Sequence, residues 1–141
     1  IEGRALNAFN TQNWTCLGDS LVVCHFEEKI YGTSVAQVHA DWINAVTGWN
    51  TTFEEVKLMA ERFYTLERLF TIRESGKARE ADTLPWRAMN EPIPTGTSKG
   101  MYTPKKELDA MLDEYYELRG WDKKGIPTKA TLKRLGLEEY S

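Results

Sequence analysis

The sequence is poor in the residues that most often carry chemistry on their own: two cysteines and two histidines in 141 positions. Two thiols cannot build the disulfide framework of a small secreted domain, so a reducing, cytoplasmic setting is the expectation. Cys16, Cys24, His25 and His39 share no spacing with a zinc finger or ribbon. No apolar run approaches the roughly 20 residues that a membrane-spanning helix requires. The N-terminus lacks the basic-then-apolar build of a signal peptide. Charge of one sign is lacking too: eighteen basic residues against twenty-one acidic ones leave a net charge of −3. That balance argues against a nucleic-acid partner. There is no alternating strand pattern, no Asn-Gly hairpin, no internal repeat, no phosphate-cradling glycine loop and no Ser-His-Asp constellation. A complete active site is therefore not expected within this chain. It has no initiating methionine and reads as a piece of something longer. Ile1-Glu2-Gly3-Arg4 reads either as native sequence or as an engineered protease-cleavage tag.

What is present is helical. A mass of 16.2 kDa suits one domain, and apolar residues at 41% with charged residues at 28% are ordinary for a globular chain. A chain this long can bury roughly 70% of its unfolded surface and needs no metal merely to hold together. Thr33 and Ser34 are good N-caps for a helix whose apolar positions are Val35, Val38, Trp42, Ile43 and Val46, ending at Gly48. Thr52 and Glu55 form a capping box ahead of a longer helix, with Val56, Met59, Phe63, Leu66 and Phe70 on one stripe and Gly76 as its stop. A third begins with Thr103 as cap and Pro104 at the first helical position, buries Leu108, Met111, Leu112 and Tyr115, and stops at Gly120. A short last helix runs from the cap at Thr128 to Gly136, with Leu132 and Leu135 inward and Lys133 and Arg134 suited to its dipole. Residues 1–26 predict a short helix near 3–10 and another starting around Asp19. The expected fold is all-α: one irregular helical domain over residues 1–141.

Residues 82–103 break this pattern, because their prolines and glycines prevent a long regular element. Leu84, Trp86, Met89, Ile93 and Met101 argue that the segment is an ordered strap, held by Trp86 and Ile93 across helices or across another domain.

Within "DSLVVCHF" (19–26), local chemistry leaves alternatives. Cys24 among valines is ordinarily an inert core thiol. Asp19 suits an N-cap, and equally a carboxylate accepting hydrogen bonds from a ligand's N–H groups. Cys24 and His25 are neighbours whose side chains diverge on a helix, which is poor geometry for a catalytic pair. Asp82 near Arg79 and Arg87, and Asp122 beside Arg119, read as surface or capping contacts. Tyr115, Tyr116 and Trp121 read as core area.

Four phrases in order resemble the C-terminal domain of the tungsten-containing aldehyde:ferredoxin oxidoreductase family. They are "DSLVVCHF" (19–26), "ERFYTLERLFTIRESGKAREADTLPWR" (61–87), "LDEYYELRGWDKKGIPT" (112–128) and "LKRLGL" (132–137), with "VTGWN" (46–50) between the first two. The resemblance implies tungsten, or molybdenum, held by the dithiolenes of two pterins beside a 4Fe-4S cluster. The family pattern is an aspartate, two variable residues, glycine, leucine and cysteine. Carried over, Asp19 is implied to hydrogen-bond a pterin and Cys24 to be the fourth cluster ligand, while Val22 and Val23 stand at the glycine and leucine positions. The other three cysteines, a second pterin aspartate and the catalytic residues are implied to lie upstream.

The implied function is oxidation of an aldehyde to a carboxylic acid, with ferredoxin accepting the electrons. This chain is the C-terminal portion, inactive alone, and partnered by upstream domains; a homodimer is left open. Two other readings stand beside it: a same-cofactor relative such as an aromatic acyl-CoA reductase, and a cofactor-free helical interaction module.

Overall fold

The computed structural model describes residues 2–24, 26 and 35–140. Among them are α1 (Arg4–Ser20), α2 (Val35–Thr47), α3 (Phe53–Ser75), α4 (Trp86–Asn90), α5 (Lys105–Arg119) and α6 (Lys129–Leu135), with no strand. The all-α expectation holds. The readings on Thr33, Ser34 and His25, and on the side chain of Val35, lie outside the described residues.

Local chemistry sets most helix ends. The Thr52 side chain accepts from the Glu55 N–H while Glu55 caps back, so the reciprocal box ahead of α3 forms as expected. Gly48, Gly76, Gly120 and Gly136 all take the left-handed conformation where their helices stop. At Gly120 any side chain would also collide with Thr131 Oγ1. Two helix starts differ from expectation. The N-terminal segment is one 17-residue helix rather than two short ones. Its buried face is Ala5, Asn13, Cys16, Leu17 and Gly18, too polar and too small to read as an apolar stripe. For α5, Pro104 is the cap rather than the first helical residue, because its ψ of 148° is extended. Thr103 instead donates its N–H to the Ala88 carbonyl at 3.0 Å.

The core has two apolar parts. Leu17, Ala40, Ile43, Val56 and Ala60 form one, where α1, α2 and α3 meet, with Trp14, Leu21 and Phe63 against it. Leu132, Leu135 and Leu137 form the other, against Leu69. On α3 the expected stripe is right at Val56 and wrong further along, since Leu66 and Phe70 are exposed. A strict seven-residue repeat drifts by roughly 20° per heptad on a straight helix, so the inward line passes to Ala60, Tyr64, Thr65 and Arg68. Val46 at the end of α2 is likewise exposed.

Between the two apolar parts lies an aromatic layer around Arg119, which is fully buried. Its Nε donates to the Tyr115 hydroxyl (2.9 Å), Nη1 to Asn13 Oδ1 (2.5 Å), and Nη2 to Gln12 Oε1 (3.0 Å) and the Phe9 carbonyl (3.4 Å). The guanidinium lies 4.1 Å from the Tyr64 ring centre and 4.4 Å from that of Phe9. Asp122 does not pair with it; its carboxylate accepts the Lys124 and Ile126 N–H groups and closes a turn.

The strap is ordered, though not by the residues expected to hold it. Trp86, Ile93 and Met101 are exposed, while Leu84 and Met89 are only half-buried. Order comes from polar ties. Asp82 accepts both Arg68 Nη1 (2.9 Å) and Nη2 (2.6 Å), and also the Tyr116 hydroxyl at 2.5 Å. Arg79 pairs with Asp113 and Arg87 with Glu91, so neither is the partner of Asp82. Backbone bonds between Ile93 and Gly100–Met101 close the far turn.

Replacing Arg119 by Met roughly keeps the volume but takes from buried Asn13 Oδ1 its guanidinium donor, while Gln12 Oε1 keeps the Tyr115 hydroxyl. Each buried polar group left unsatisfied costs about 1–3 kcal/mol. Urea unfolding of Arg119→Met is expected to show a loss of about 1–3 kcal/mol, whereas exposed Arg73→Ala stays within about 0.5 kcal/mol. A loss below 1 kcal/mol would remove Arg119 from this role.

Candidate functional site at the end of α1

Asp19 lies in the last turn of α1, Val22 in the turn that follows, and Val23 and Cys24 directly beyond it. Asp19 is not an N-cap: it lies in the last turn of α1 and is exposed. A carboxylate there faces the negative end of the helix dipole, which is locally unfavourable. Capping thus drops out as the reason for an aspartate at this position.

The chain leaves the helix through a Schellman arrangement. The Val22 N–H bonds the Asp19 carbonyl at 3.1 Å, and the Val23 N–H bonds the Gly18 carbonyl at 3.0 Å. This geometry places Val22 at a φ of 58°, in the left-handed region. Val22 thus adopts the backbone for which the glycine of the family pattern is suited, at a cost of about 1–2 kcal/mol for a side-chain-bearing residue. Leu21 anchors the turn against the first core cluster.

The two cysteines are free and differ in setting. Cys24 is exposed, which overturns the reading of it as a core thiol. Cys16 is buried on α1 and donates to Glu67 Oε1 at 3.5 Å. Burial, and then the Glu67 charge, push the Cys16 thiol up to about 11. Cys16 therefore stays protonated and is a poor ligand or nucleophile. Val22 and Phe26 are also exposed, so the edge carries an accessible thiol and a carboxylate among apolar groups.

The sequence reading missed the polar supports of this edge. Asp82 with Arg68 and Tyr116, and Arg119 with α1, act across the chain. Burial and the neighbouring Asp82 carboxylate raise the Tyr116 hydroxyl well above its ordinary range, so Tyr116 remains a donor to Asp82. For Arg119 a signal existed: it continues the inward series Leu108, Leu112, Tyr115 by one further step of four. Two open grooves, of about 610 and 750 Å³, lie beside α6 and beneath the strap, and neither includes Asp19 or Cys24.

Residues 1–137 match the family model described as "Aldehyde ferredoxin oxidoreductase, domains 2 & 3". The chain belongs to this family. It is 38% identical over 129 residues to the tungsten-containing aldehyde ferredoxin oxidoreductases of Pyrococcus abyssi and Pyrococcus furiosus, covering 92% of this chain and 20% of each relative. It is 30% identical over 126 residues to the "Aliphatic sulfonate oxidoreductase, WOR-like subunit" of Pyrococcus furiosus, covering 86% of this chain and 19% of that one. Among solved structures it resembles the "active site complex BamBC of benzoyl coenzyme A reductase in complex with 1,5 dienoyl-CoA". There the TM-score is 0.60 at 32% identity, over 74% of this chain and 14% of that chain. The chain thus spans about a fifth of the length of the curated relatives it matches.

A group such as this family's names imply must be tested against the donors present. Among the described residues no three His, Cys, Asp or Glu side chains gather to hold a metal ion. The edge nevertheless fits a share of a larger site, since the Cys24 thiol is accessible to a neighbouring domain whereas Cys16 is buried. The same described residues contain no helix long and apolar enough to cross a membrane.

The two thiols are expected to separate cleanly in a titration. A thiol reagent at pH 8 should modify Cys24 in the folded chain and reach Cys16 only on unfolding. Because the Cys16 pKa is raised by folding, its contribution to stability is complete below about pH 9 and declines towards pH 11, by at most about 1.4 kcal/mol per pH unit. Cys16→Ala should flatten that decline; an unchanged profile would mean that Glu67 and burial do not govern it.

Proposed function

We propose that this chain is the helical C-terminal portion, one domain over residues 1–141, of a tungsten or molybdenum bis-pterin oxidoreductase. The whole protein oxidises aldehydes to carboxylic acids and passes electrons to ferredoxin. Asp19 accepts hydrogen bonds from a pterin's N–H edge, and Cys24 supplies the fourth thiolate of a 4Fe-4S cluster. Val22 and Val23 carry the backbone between them. Upstream domains of the same chain supply the remaining ligands and the catalytic residues, so this portion alone is inactive. A cytoplasmic location goes with that reading.

One observation carries it: just at and beyond the end of α1 an exposed carboxylate and an exposed thiol stand five positions apart, at the two ligand positions of the family pattern. Neither group is an N-cap or part of the core. An N–H-rich ring edge suits a carboxylate acceptor, and thiolates are the usual ligands of iron–sulfur clusters. In the overall reaction an aldehyde and water give a carboxylic acid, two protons and two electrons, and ferredoxin takes the electrons singly. The bound metal–pterin group supplies the two-electron redox chemistry; this chain's residues hold and orient it. A cofactor-free interaction module is disfavoured, because it calls for Asp19 as a cap and Cys24 in the core.

The likeness to the benzoyl-CoA reductase complex supports a second reading, a same-cofactor enzyme that acts on aromatic acyl-CoA thioesters. Assaying the loaded full-length protein with aldehydes and with aryl-CoA thioesters separates the two.

In the full-length protein, Cys24→Ala is expected to lower iron content, abolish the cluster's electron paramagnetic resonance signal and stop ferredoxin reduction, with Cys16→Ala leaving all three in place. An intact signal in Cys24→Ala would overturn the ligand role. Asp19→Ala should reduce pterin and metal retention while changing fold stability by no more than about 1 kcal/mol, as for other exposed positions. Full pterin retention would overturn the Asp19 role.

A further inference from the structure

Among the described residues nothing compensates the backbone conformation of Val22. Among the described residues it is the only non-glycine residue at positive φ. A β-branched side chain is poorly tolerated there, because Cβ crowds the backbone carbonyl. Burial does not offset that strain, since Val22 is 92% exposed. Nor do the two helix-ending hydrogen bonds need a side chain: they use the backbone N–H groups of Val22 and Val23, and glycine would form both without strain. Strained residues persist where surrounding structure over-determines them, and they gather at functional sites. What valine adds over glycine is an apolar group standing outward, three residues beyond Asp19 and two before Cys24.

We propose that the Val22 isopropyl group is a contact of the loaded site, packing against the cluster-bearing part of the full-length protein and excluding water from the Cys24 sulfur. The inference rests on the reading of Cys24 as a cluster ligand and deepens it, adding a role in setting the cluster's redox potential. Leu21 on one side and the bonded Val23 on the other hold the turn, so the outward direction of Val22 is set by the fold. An apolar shell around a cluster limits solvent access and lowers the dielectric, which disfavours the more negatively charged reduced state. Loss of that shell raises the reduction potential.

The test is Val22→Gly, measured in two settings. In the 141-residue chain, Val22→Gly should raise the midpoint of urea unfolding, since strain is relieved and no contact is lost. In the loaded full-length protein it should instead lower the temperature at which the cluster is lost. There it should also shift the cluster's potential upward, in a redox titration followed by electron paramagnetic resonance, with iron content unchanged. Val22→Ile, which keeps the apolar group, should hold the parent potential. A Val22→Gly protein stabilised in both settings, with parent potential and spectrum, would overturn the proposal. The underlying reading fails separately: if Cys24→Ala keeps its cluster, the ligand role falls, whatever Val22→Gly does to either stability.

Discussion

A guanidinium without a carboxylate partner holds this fold together. None of the hydrogen-bond acceptors that Arg119 meets among the described residues is an acid; they are a phenol, two side-chain amides and a peptide carbonyl. Its charge is spread instead over the faces of Phe9, Tyr64 and Tyr115. Arginine suits this role because its planar fork can donate in several directions while its faces stack on rings. Lysine has neither the plane nor the fork. From this one side chain, contacts reach α1 through Phe9, Gln12 and Asn13, α3 through Tyr64, and α5 through Tyr115.

That constraint matters for the candidate site because α1 carries it. Arg119 grips the middle of the helix, at residues 9 to 13. Cys16 and Leu17 then follow along α3, by the bond to Glu67 and by packing with Val56 and Ala60. By Ser20 the helix is held on several sides, and Leu21 closes the apolar contact. The turn with Val22 and Cys24 therefore projects from a fixed base. A second polar tie supports the opposite flank, where Arg68 joins Asp82 of the strap and also donates its Nε to the Gly125 carbonyl at 3.0 Å. Gly125 has to be glycine, since a Cβ there would meet Arg68 Nη2 at 2.6 Å and the Tyr116 ring at 2.8 Å. Two arginines thus pin the frame at separate points.

What could be read from sequence follows the range of the interaction. Thr52 with Glu55, Thr128 before α6, and the glycine stops are local chemistry, and all stood where the residues placed them. α1 was not legible as one helix, because its inward face is Asn13, Cys16 and Gly18 rather than large apolar groups. Asn13 makes sense only beside Arg119, which lies over a hundred positions away in the chain. Asp82 was misassigned for the same reason: its nearest arginines in sequence are Arg79 and Arg87, and its partner is Arg68. The strap's order was legible and its anchors were not. Trp86, Ile93 and Met101 look like anchors from composition, yet they stand outward as an apolar row of the kind that marks contact surfaces. The site was legible through the order of four phrases rather than through local patterning, which at Asp19 pointed to the wrong end of a helix.

Three unusual choices fall within six residues. Glu54 and Glu55 open α3, and Lys133 and Arg134 close α6, each with the sign its helix dipole favours. Asp19 takes the opposite sign, as do Arg4 at the start of α1 and Lys105 and Lys106 at the start of α5. Elsewhere among the described residues glycine occupies the left-handed positions, while Val22 takes one with a branched side chain. Cys16 is buried and bonded, while Cys24 stands in the open. Any one of these departures would be unremarkable in a stable domain, where a single local cost is absorbed. Their coincidence at one helix end is harder to assign to stability, since the left-handed Val22 costs stability and the exposed Cys24 adds no core contact. Locally consistent sequences depart from consistency chiefly where function requires it. The end of α1 is anchored to the domain through Leu21 while its carboxylate and thiol are exposed, which is the arrangement expected of half a site whose other half lies on a neighbouring domain.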